Sequence, residues 1–253
     1  MYAAERHEAI LVRARAQGRV EVGALAESLG VTVETVRRDL TALERFGVVR
    51  RVHGGAIPVE RLTLEPTLAT KESQRSEQKQ RIAARAIEEI PEGGSILLDS
   101  GTSTLAVAAL LPYDKSLTVV TNSFAVATRL GDRDGIELMM LGGRVRTRTG
   151  AAVGKWTTDA LVDMYVDVAF LGTNGFSVER GFTTPDQVEA EAKRAMVRAS
   201  RRVIVVADAW KAGQVHLHRF ADVDEVAMLV TDSSLDDETT EELDAAGVEV
   251  VRA

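Results

Sequence analysis

Residues 30–47 read GVTVETVRRDLTALERFG, a turn followed by one amphipathic helix with arginine on its outer face. Thr32 suits the N-cap, where its hydroxyl accepts from an otherwise orphan backbone N–H. Val33, Val36, Leu40 and Leu43 recur at helical spacing and form a single apolar stripe. Arg38 falls nearly opposite that stripe, with Glu34, Thr35 and Arg45 around it and Arg37 on the flank. Gly47 can take the left-handed conformation that ends a helix. Just upstream, Val22, Leu25, Ala26 and Leu29 predict a shorter amphipathic helix, linked through Gly30 and Val31. Two helices joined by a glycine turn, the second one basic, make a helix-turn-helix pattern. Further out, residues 3–17 predict a first helix with Ile10, Leu11 and Ala14 inward, and residues 20–22 a strand fragment. VVRRVHGGA, from Val48 to Ala56, reads as a short strand and a Gly54-Gly55 turn, the shape of a wing. A small helical bundle with solvated arginines is the plain alternative; the ordered set of helix, strand, helix, turn, basic helix and basic wing argues against it.

Charge agrees with that reading once it is divided along the chain. The 253 residues carry a net charge of −7. Residues 1–57 nevertheless hold nine arginines against seven carboxylates, and five of those arginines fall between Arg37 and Arg51. Local basic density on one face attracts a phosphate backbone whatever the global balance. Cysteine is absent, which excludes disulfides and cysteine-zinc sites and fits a reducing, cytoplasmic setting. The longest apolar run, 105–111, is far shorter than the ~18 residues of a membrane span, so no membrane association is expected.

Residues 58–75 lose periodicity and carry two prolines, so they are expected to be a linker between a domain at 1–57 and another at 76–253. From there strand-like and helix-like segments alternate. Strands are predicted at 95–99, 117–121, 136–141, 166–171, 203–207, 227–231 and 248–251. Helices are predicted at 79–90, 102–111, 123–130, 187–200 and 236–246. Most of the strands are continuous apolar runs, as in a parallel sheet buried on both faces. Ligands bind at the carboxyl ends of such strands.

Those ends are polar here. LLDSGTSTLAVAALL is a strand, a Gly/Ser/Thr loop and a helix, whose positive dipole end makes an anion site of Asp99, Ser100, Gly101, Thr102, Ser103 and Thr104. A tight, capped strand-to-helix turn is the bland reading. The loop is neither GxGxxG nor a Walker motif, so no cofactor is expected. The second strand ends in Thr121-Asn122-Ser123. The third ends in Leu141-Gly142-Gly143, with Arg144, Arg146 and Arg148 spaced to share one face of an extended segment. The fourth ends in Gly172-Thr173-Asn174-Gly175, where glycine lets backbone approach a ligand. Thr184 follows on Gly181-Phe182-Thr183, and Glu189 and Lys193 sit four apart on a helix, the spacing of an ordinary surface ion pair. Lys211 lies just behind Ala207-Asp208 at the end of the fifth. Together these suggest a pocket for a small, polar, anionic ligand. No nucleophile elbow or HExxH is present, and the H-x-H of His216 and His218 has no evident third ligand, so neither catalysis nor a metal is expected.

Over nearly its whole length the chain resembles the DeoR family of bacterial transcription regulators. The family's V-S-x-x-T-[IV]-R-R-D-L is matched by Val31 to Leu40, and its R-V-H-G-G-A by Arg51 to Ala56. Asp99 to Thr104, Thr121-Asn122-Ser123, Leu141-Gly142-Gly143 with Arg146, Phe170-Leu171-Gly172, Gly181 to Thr184, and Glu189 to Lys193 resemble the family's effector domain. Asn174 stands where many members have Asp, and Ala209-Trp210-Lys211 where many have Ser-Ser-Lys. The resemblance implies a winged helix-turn-helix followed by an α/β domain akin to ribose-5-phosphate isomerase and glucosamine-6-phosphate deaminase. It implies a non-enzymatic repressor of a sugar-utilisation operon, released from a double-stranded DNA operator by a phosphorylated sugar. The pattern is most like regulators of fructose utilisation, which makes fructose 1-phosphate the first effector expected.

On this reading the DNA-binding residues are Thr32, which also caps the recognition helix, Thr35 and Arg38, which read bases, and Arg37, Arg51 and His53, which hold phosphates or the groove edge. The phosphoryl group sits on the Ser100–Thr104 loop, with Lys193, Lys211 or Arg146 supplying charge. Thr121, Asn122, Asn174 and Thr184 read hydroxyls, while Asp99, Gly142, Gly175 and Glu189 complete the site. Paired operator half-sites imply a homo-oligomer, a dimer or tetramer. Two other classes remain: an active sugar-phosphate isomerase or deaminase with a DNA-binding appendage, and a regulator controlled by a protein partner. The first lacks the paired carboxylates that proton abstraction needs.

Overall fold

The computed structural model describes residues 3–45, 48–58, 68–73 and 75–253. The chain forms two units, Met1–Glu65 and Pro66–Ala253. The proposed helix stop at Gly47 and most of the expected linker lie outside the described residues.

The first unit runs α1 (Ala3–Gln17), β1 (Val20–Glu21), α2 (Val22–Leu29), α3 (Val33–Arg45), β2 (Val49–Val52) and β3 (Gly55–Pro58). The three strands form an antiparallel sheet in the order β1-β3-β2. Gly30 ends α2 at φ 64°, a left-handed geometry that costs glycine little. Thr32 caps α3, its Oγ1 accepting from Thr35 N–H at 3.2 Å. Val36, Leu40 and Leu43 join Ile10, Ala14, Leu25 and Val49 in one core. Val33 departs from that expectation: it is 40% exposed, because the apolar stripe reaches the core only from Val36 onward.

Asp39 lies within the basic run yet is buried. It accepts from Arg6 through Nε at 2.8 Å and Nη2 at 3.0 Å, and pairs with His7 Nε2 at 3.1 Å. Burial pushes its carboxyl up, but these hydrogen bonds and charges outweigh burial and hold it below the usual value. A depressed native pKa stabilises the fold above the unfolded pKa of about 3.9, and that contribution is lost as pH falls through the native value. Asp39→Asn is therefore expected to lower thermal stability at pH 7, with the gap to wild type closing below about pH 4. A gap independent of pH would refute the ionic clamp.

The second unit opens on α4 (Leu68–Ser73) and α5 (Ser76–Ala86), followed by a 3-10 turn over Ile87–Glu89. Part of the expected linker is thus helical: Leu68 N–H donates to Arg148 O at 3.0 Å, a long-range contact no local pattern announces. Then come β4 (Gly93–Leu98), α6 (Thr102–Ala109), β5 (Ser116–Thr121), α7 (Phe124–Leu130), β6 (Ile136–Met140), a β7 (Arg144–Arg146) and β8 (Ala151–Val153) hairpin, and α8 (Lys155–Ala160). The chain continues with β9 (Val166–Leu171), β10 (Gly175–Ser177), β11 (Gly181–Thr184), α9 (Gln187–Arg198), β12 (Ser200–Val206), β13 (His218–Ala221), β14 (Met228–Thr231), α10 (Asp237–Ala245) and β15 (Glu249–Arg252).

Seven parallel strands form the main sheet in the order β15-β14-β12-β9-β4-β5-β6. Their alternation explains the apolar runs of the central strands. Leu97, Ala169, Leu171, Val203, Val205 and Leu229 face one core with Ala190 and Met196 of α9 and Leu243 of α10. Ile96, Leu98, Val168, Phe170, Ile204 and Val230 face the other, with Ile82 of α5, Val107 of α6 and Val126 of α7. The chain leaves β4 toward β5 on one side, while β9 flanks it on the other. This switch point opens a crevice at the carboxyl ends of β4 and β9. A small sheet, β10-β11-β13, stands apart from the main one. Among the described residues no helix is long and apolar enough to cross a membrane.

Candidate functional sites

In the first unit, α3 and the wing share a shallow groove lined by Val22, Arg37, Arg51, Val52, His53 and the Gly54-Gly55 turn. Arg51 is anchored twice: its N–H donates to Glu44 Oε1 at 2.8 Å and its Nη1 to Thr41 Oγ1 at 3.3 Å. Arg19 holds the wing tip by donating to His53 O at 2.6 Å. Arg37 pairs with Glu34 at 3.5 Å, an exposed contact of little energetic weight. Arg38 is exposed and has no hydrogen bond or ion pair among the described residues. Thr35 is half-buried, and its hydroxyl lies 2.9 Å from that of Thr32.

In the second unit the polar strand ends sort into three groups. The first is centred on Asp99, fully buried after β4. Its Oδ2 accepts from Lys193 Nζ and from Gly172 N–H at 3.1 Å. Lys193 Nζ also donates to Gly172 O at 2.9 Å and sits 5.1 Å above the Phe220 ring. Glu189 and Lys193 are therefore no surface pair; both are buried and point to different partners. Ser100, Thr102, Ser103 and Thr104 are buried, Thr104 Oγ1 donating to Gly101 O at 3.0 Å. Thr121 is engaged within the fold, donating to Leu98 O at 2.6 Å and accepting from Ser123 N–H at 3.0 Å. Asn122 Nδ2 donates to Ala152 O at 3.0 Å, which leaves its carbonyl oxygen as the open acceptor. Asp99 Oδ1, Ser100 Oγ and Asn122 Oδ1 are buried and unpartnered. Such atoms ask for a donor or a water.

The second group is Arg146, which bonds Glu189 and lies 3.2 Å from Asp186 and 3.3 Å from Thr149 Oγ1. Arg148 does not share its face, because β7 ends at Arg146 and the hairpin turns at once: Gly150 N–H returns to Arg146 O at 2.8 Å. Gly142 is exposed and its carbonyl accepts from Thr157 Oγ1 at 2.8 Å. Thr184 Oγ1 donates to Asn174 Oδ1 at 3.2 Å. Gly175 serves packing: a Cβ there would lie 2.2 Å from Gln214 O. His216 turns into the same region, its N–H on Thr183 Oγ1 at 3.0 Å and its Nε2 3.2 Å from Asn174 O.

The third group lies beyond β12. Lys211 Nζ is 3.5 Å from Asp208 Oδ2. Burial pushes its ammonium pKa down to about 8; Asp208 opposes the shift, and the charges of Lys71 and Lys79 add to it. Lys79, buried in α5, donates to Lys71 O and is likewise pushed down by its burial. Asp208 Oδ1 is buried and unpartnered. Sequence reasoning missed Lys79, although a signal existed: Lys79, Ile82, Ala83 and Ala86 form the buried stripe of α5, so a lysine occupies an apolar-face position. α5 and α4 both pack against α6, the helix that begins at the Ser100–Thr104 loop.

Residues 6–61 match the DeoR-like helix-turn-helix domain and residues 74–233 the DeoR C terminal sensor domain. The chain is 40% identical over 251 residues to the HTH-type transcriptional regulator GlpR of Haloferax volcanii, covering 99% of this chain and 98% of that protein. It is 32% identical over 229 residues to the glycerol-3-phosphate regulon repressor of Escherichia coli K12, covering 90% of each. Among solved structures, ribose 5-phosphate isomerase A of Methanocaldococcus jannaschii superposes with a TM-score of 0.41 at 16% identity, over 55% of each chain. The chain belongs to the DeoR family: it is a DNA-binding transcriptional regulator with an N-terminal helix-turn-helix and a C-terminal sensor domain.

Proposed function

We propose that this regulator represses a sugar-utilisation operon and loosens from its operator when a phosphorylated sugar, fructose 1-phosphate first, fills the sensor site. The observation that carries this is the third group: Lys79 is buried and Lys211 half-buried, with Lys71 near them, and Asp208 faces both lysines. Taking an ammonium group out of water favours an anionic partner. The phosphoryl group would take Lys79, Lys211 and the N–H groups at the start of α6. Lys193 and Arg146 already hold carboxylates and shape the walls. The open acceptors Asp99 Oδ1, Asn122 Oδ1 and Asp208 Oδ1 suit sugar hydroxyls. In the first unit Arg38 and Thr35 read bases, while Arg37, Arg51 and His53 hold phosphates. The protein works as a cytoplasmic homo-oligomer, because a palindromic operator needs two recognition helices.

The test is a DNA-binding titration on the protein's own upstream region, with sugar phosphates and their free sugars. Fructose 1-phosphate, but not fructose, is expected to weaken the complex by roughly 5–150-fold. Lys211→Met should abolish the response while leaving DNA affinity intact. Because the Lys211 ammonium must be charged to hold a phosphate, and binding raises its pKa, the response should fade as pH rises past about 8. Lys211→Arg, charged throughout, should keep it. Release by no sugar phosphate would overturn the reading.

A further inference from the structure

Arg75 is the one non-glycine residue with positive φ among the described residues, at φ 53° and ψ 43°. It forms the corner between α4 and α5, a position glycine would occupy without steric penalty. A side chain is present there instead, and it has a use: the guanidinium lies over the Trp210 ring, 4.7 Å from its centroid. Trp210 belongs to the Ala209–Lys211 turn, so the residue stacked by Arg75 adjoins Lys211, a member of the proposed anion site. A second tie crosses the same corner, because Lys79 of α5 donates to the carbonyl of Lys71 in α4. α4 is the first described element of the second unit.

We infer that Arg75 is a positioning residue that couples the sensor site to the α4–α5 corner through its stacking on Trp210. The inference rests on the sugar-phosphate reading above. A phosphoryl group at Lys79 and Lys211 competes with the Lys71 carbonyl for the Lys79 ammonium and draws on the Trp210 turn. Occupied and empty sites then favour different placements of the corner, which is the two-state element that effector linkage requires. Arg75 touches neither the ligand nor DNA in this scheme.

The chain has two tryptophans, and Trp156 is 79% exposed, so Trp156→Phe leaves Trp210 as a single reporter of the stacked corner. In that background fructose 1-phosphate should change Trp210 emission and weaken operator binding together. Arg75→Gly relieves the backbone and should be no less thermally stable. It should bind fructose 1-phosphate by calorimetry within about threefold of the parent, yet its DNA response should fall below about twofold. Arg75→Lys, which keeps a cation over the ring, should restore part of the response. If Arg75→Gly releases DNA as the parent does, the coupling role is wrong. If it loses ligand affinity in proportion to its response, Arg75 is part of the binding site and the inference also falls. If fructose 1-phosphate and the other sugar phosphates move neither emission nor DNA affinity in the parent, the sugar-phosphate reading fails first and takes the inference with it.

Discussion

Lys193→Met is expected to destabilise the sensor unit by about 3–5 kcal/mol, the usual cost of breaking a buried ion pair by removing one partner. Lys193 is 2% exposed and Asp99 0%. Methionine matches the stem of the lysine and still packs on Phe220, so the loss reports the charge. With the ammonium gone, Asp99 keeps only Gly172 N–H on Oδ2, and its Oδ1 is already unpartnered. The Gly172 carbonyl loses its donor as well. The double variant Asp99→Asn/Lys193→Met should recover much of the loss, because a neutral pair leaves no stranded charge. Urea unfolding of the full chain is the measurement, with the sensor-unit transition read separately, since two units need not melt together. A loss below about 1 kcal/mol would mean that water reaches Asp99 and that the pair resembles a surface contact.

That pair marks where the sequence stops being legible. Glu189 and Lys193 sit four apart, and local spacing assigns them to each other. Their partners come instead from β7 and from the end of β4, and such pairings depend on sheet order, which no window of residues contains. Lys79 is a different case, since its place on the apolar stripe of α5 with Ile82, Ala83 and Ala86 is a local signal. The small sheet escaped because β10 and β11 have three and four residues and depend on β13, far along the chain, for pairing. What could be read was local: the Thr32 cap, the stripe of Val36, Leu40 and Leu43, and the apolar runs of the parallel strands. The polar tips of β4, β5, β9 and β12 could be read as well, because small polar residues after a buried strand have few other uses. The sequence named the tips that could hold a ligand, but not which cations the protein has already committed to its own carboxylates.

Arg38→Ala is expected to erase the preference for operator over unrelated DNA while leaving the fold unchanged. A bidentate arginine–guanine contact carries about 1–3 kcal/mol of discrimination, and the proposed homo-oligomer would present it on each half-site. Arg38 suits the task on this structure because nothing in its own unit holds it, so a base edge displaces no existing bond. Arg51 is the contrast. Its main-chain N–H is tied to Glu44 and its guanidinium donates to Thr41, which sets it beside α3 at the wing, where a DNA phosphate would meet it. Arg51→Ala should weaken operator and unrelated DNA alike and reduce the salt dependence by about one counterion per site. Competition titrations with operator and scrambled DNA at several salt concentrations separate the two behaviours. If Arg38→Ala keeps its preference and loses only salt dependence, the two roles are reversed, and the base-reading face of α3 is the one that carries Arg37 toward the wing.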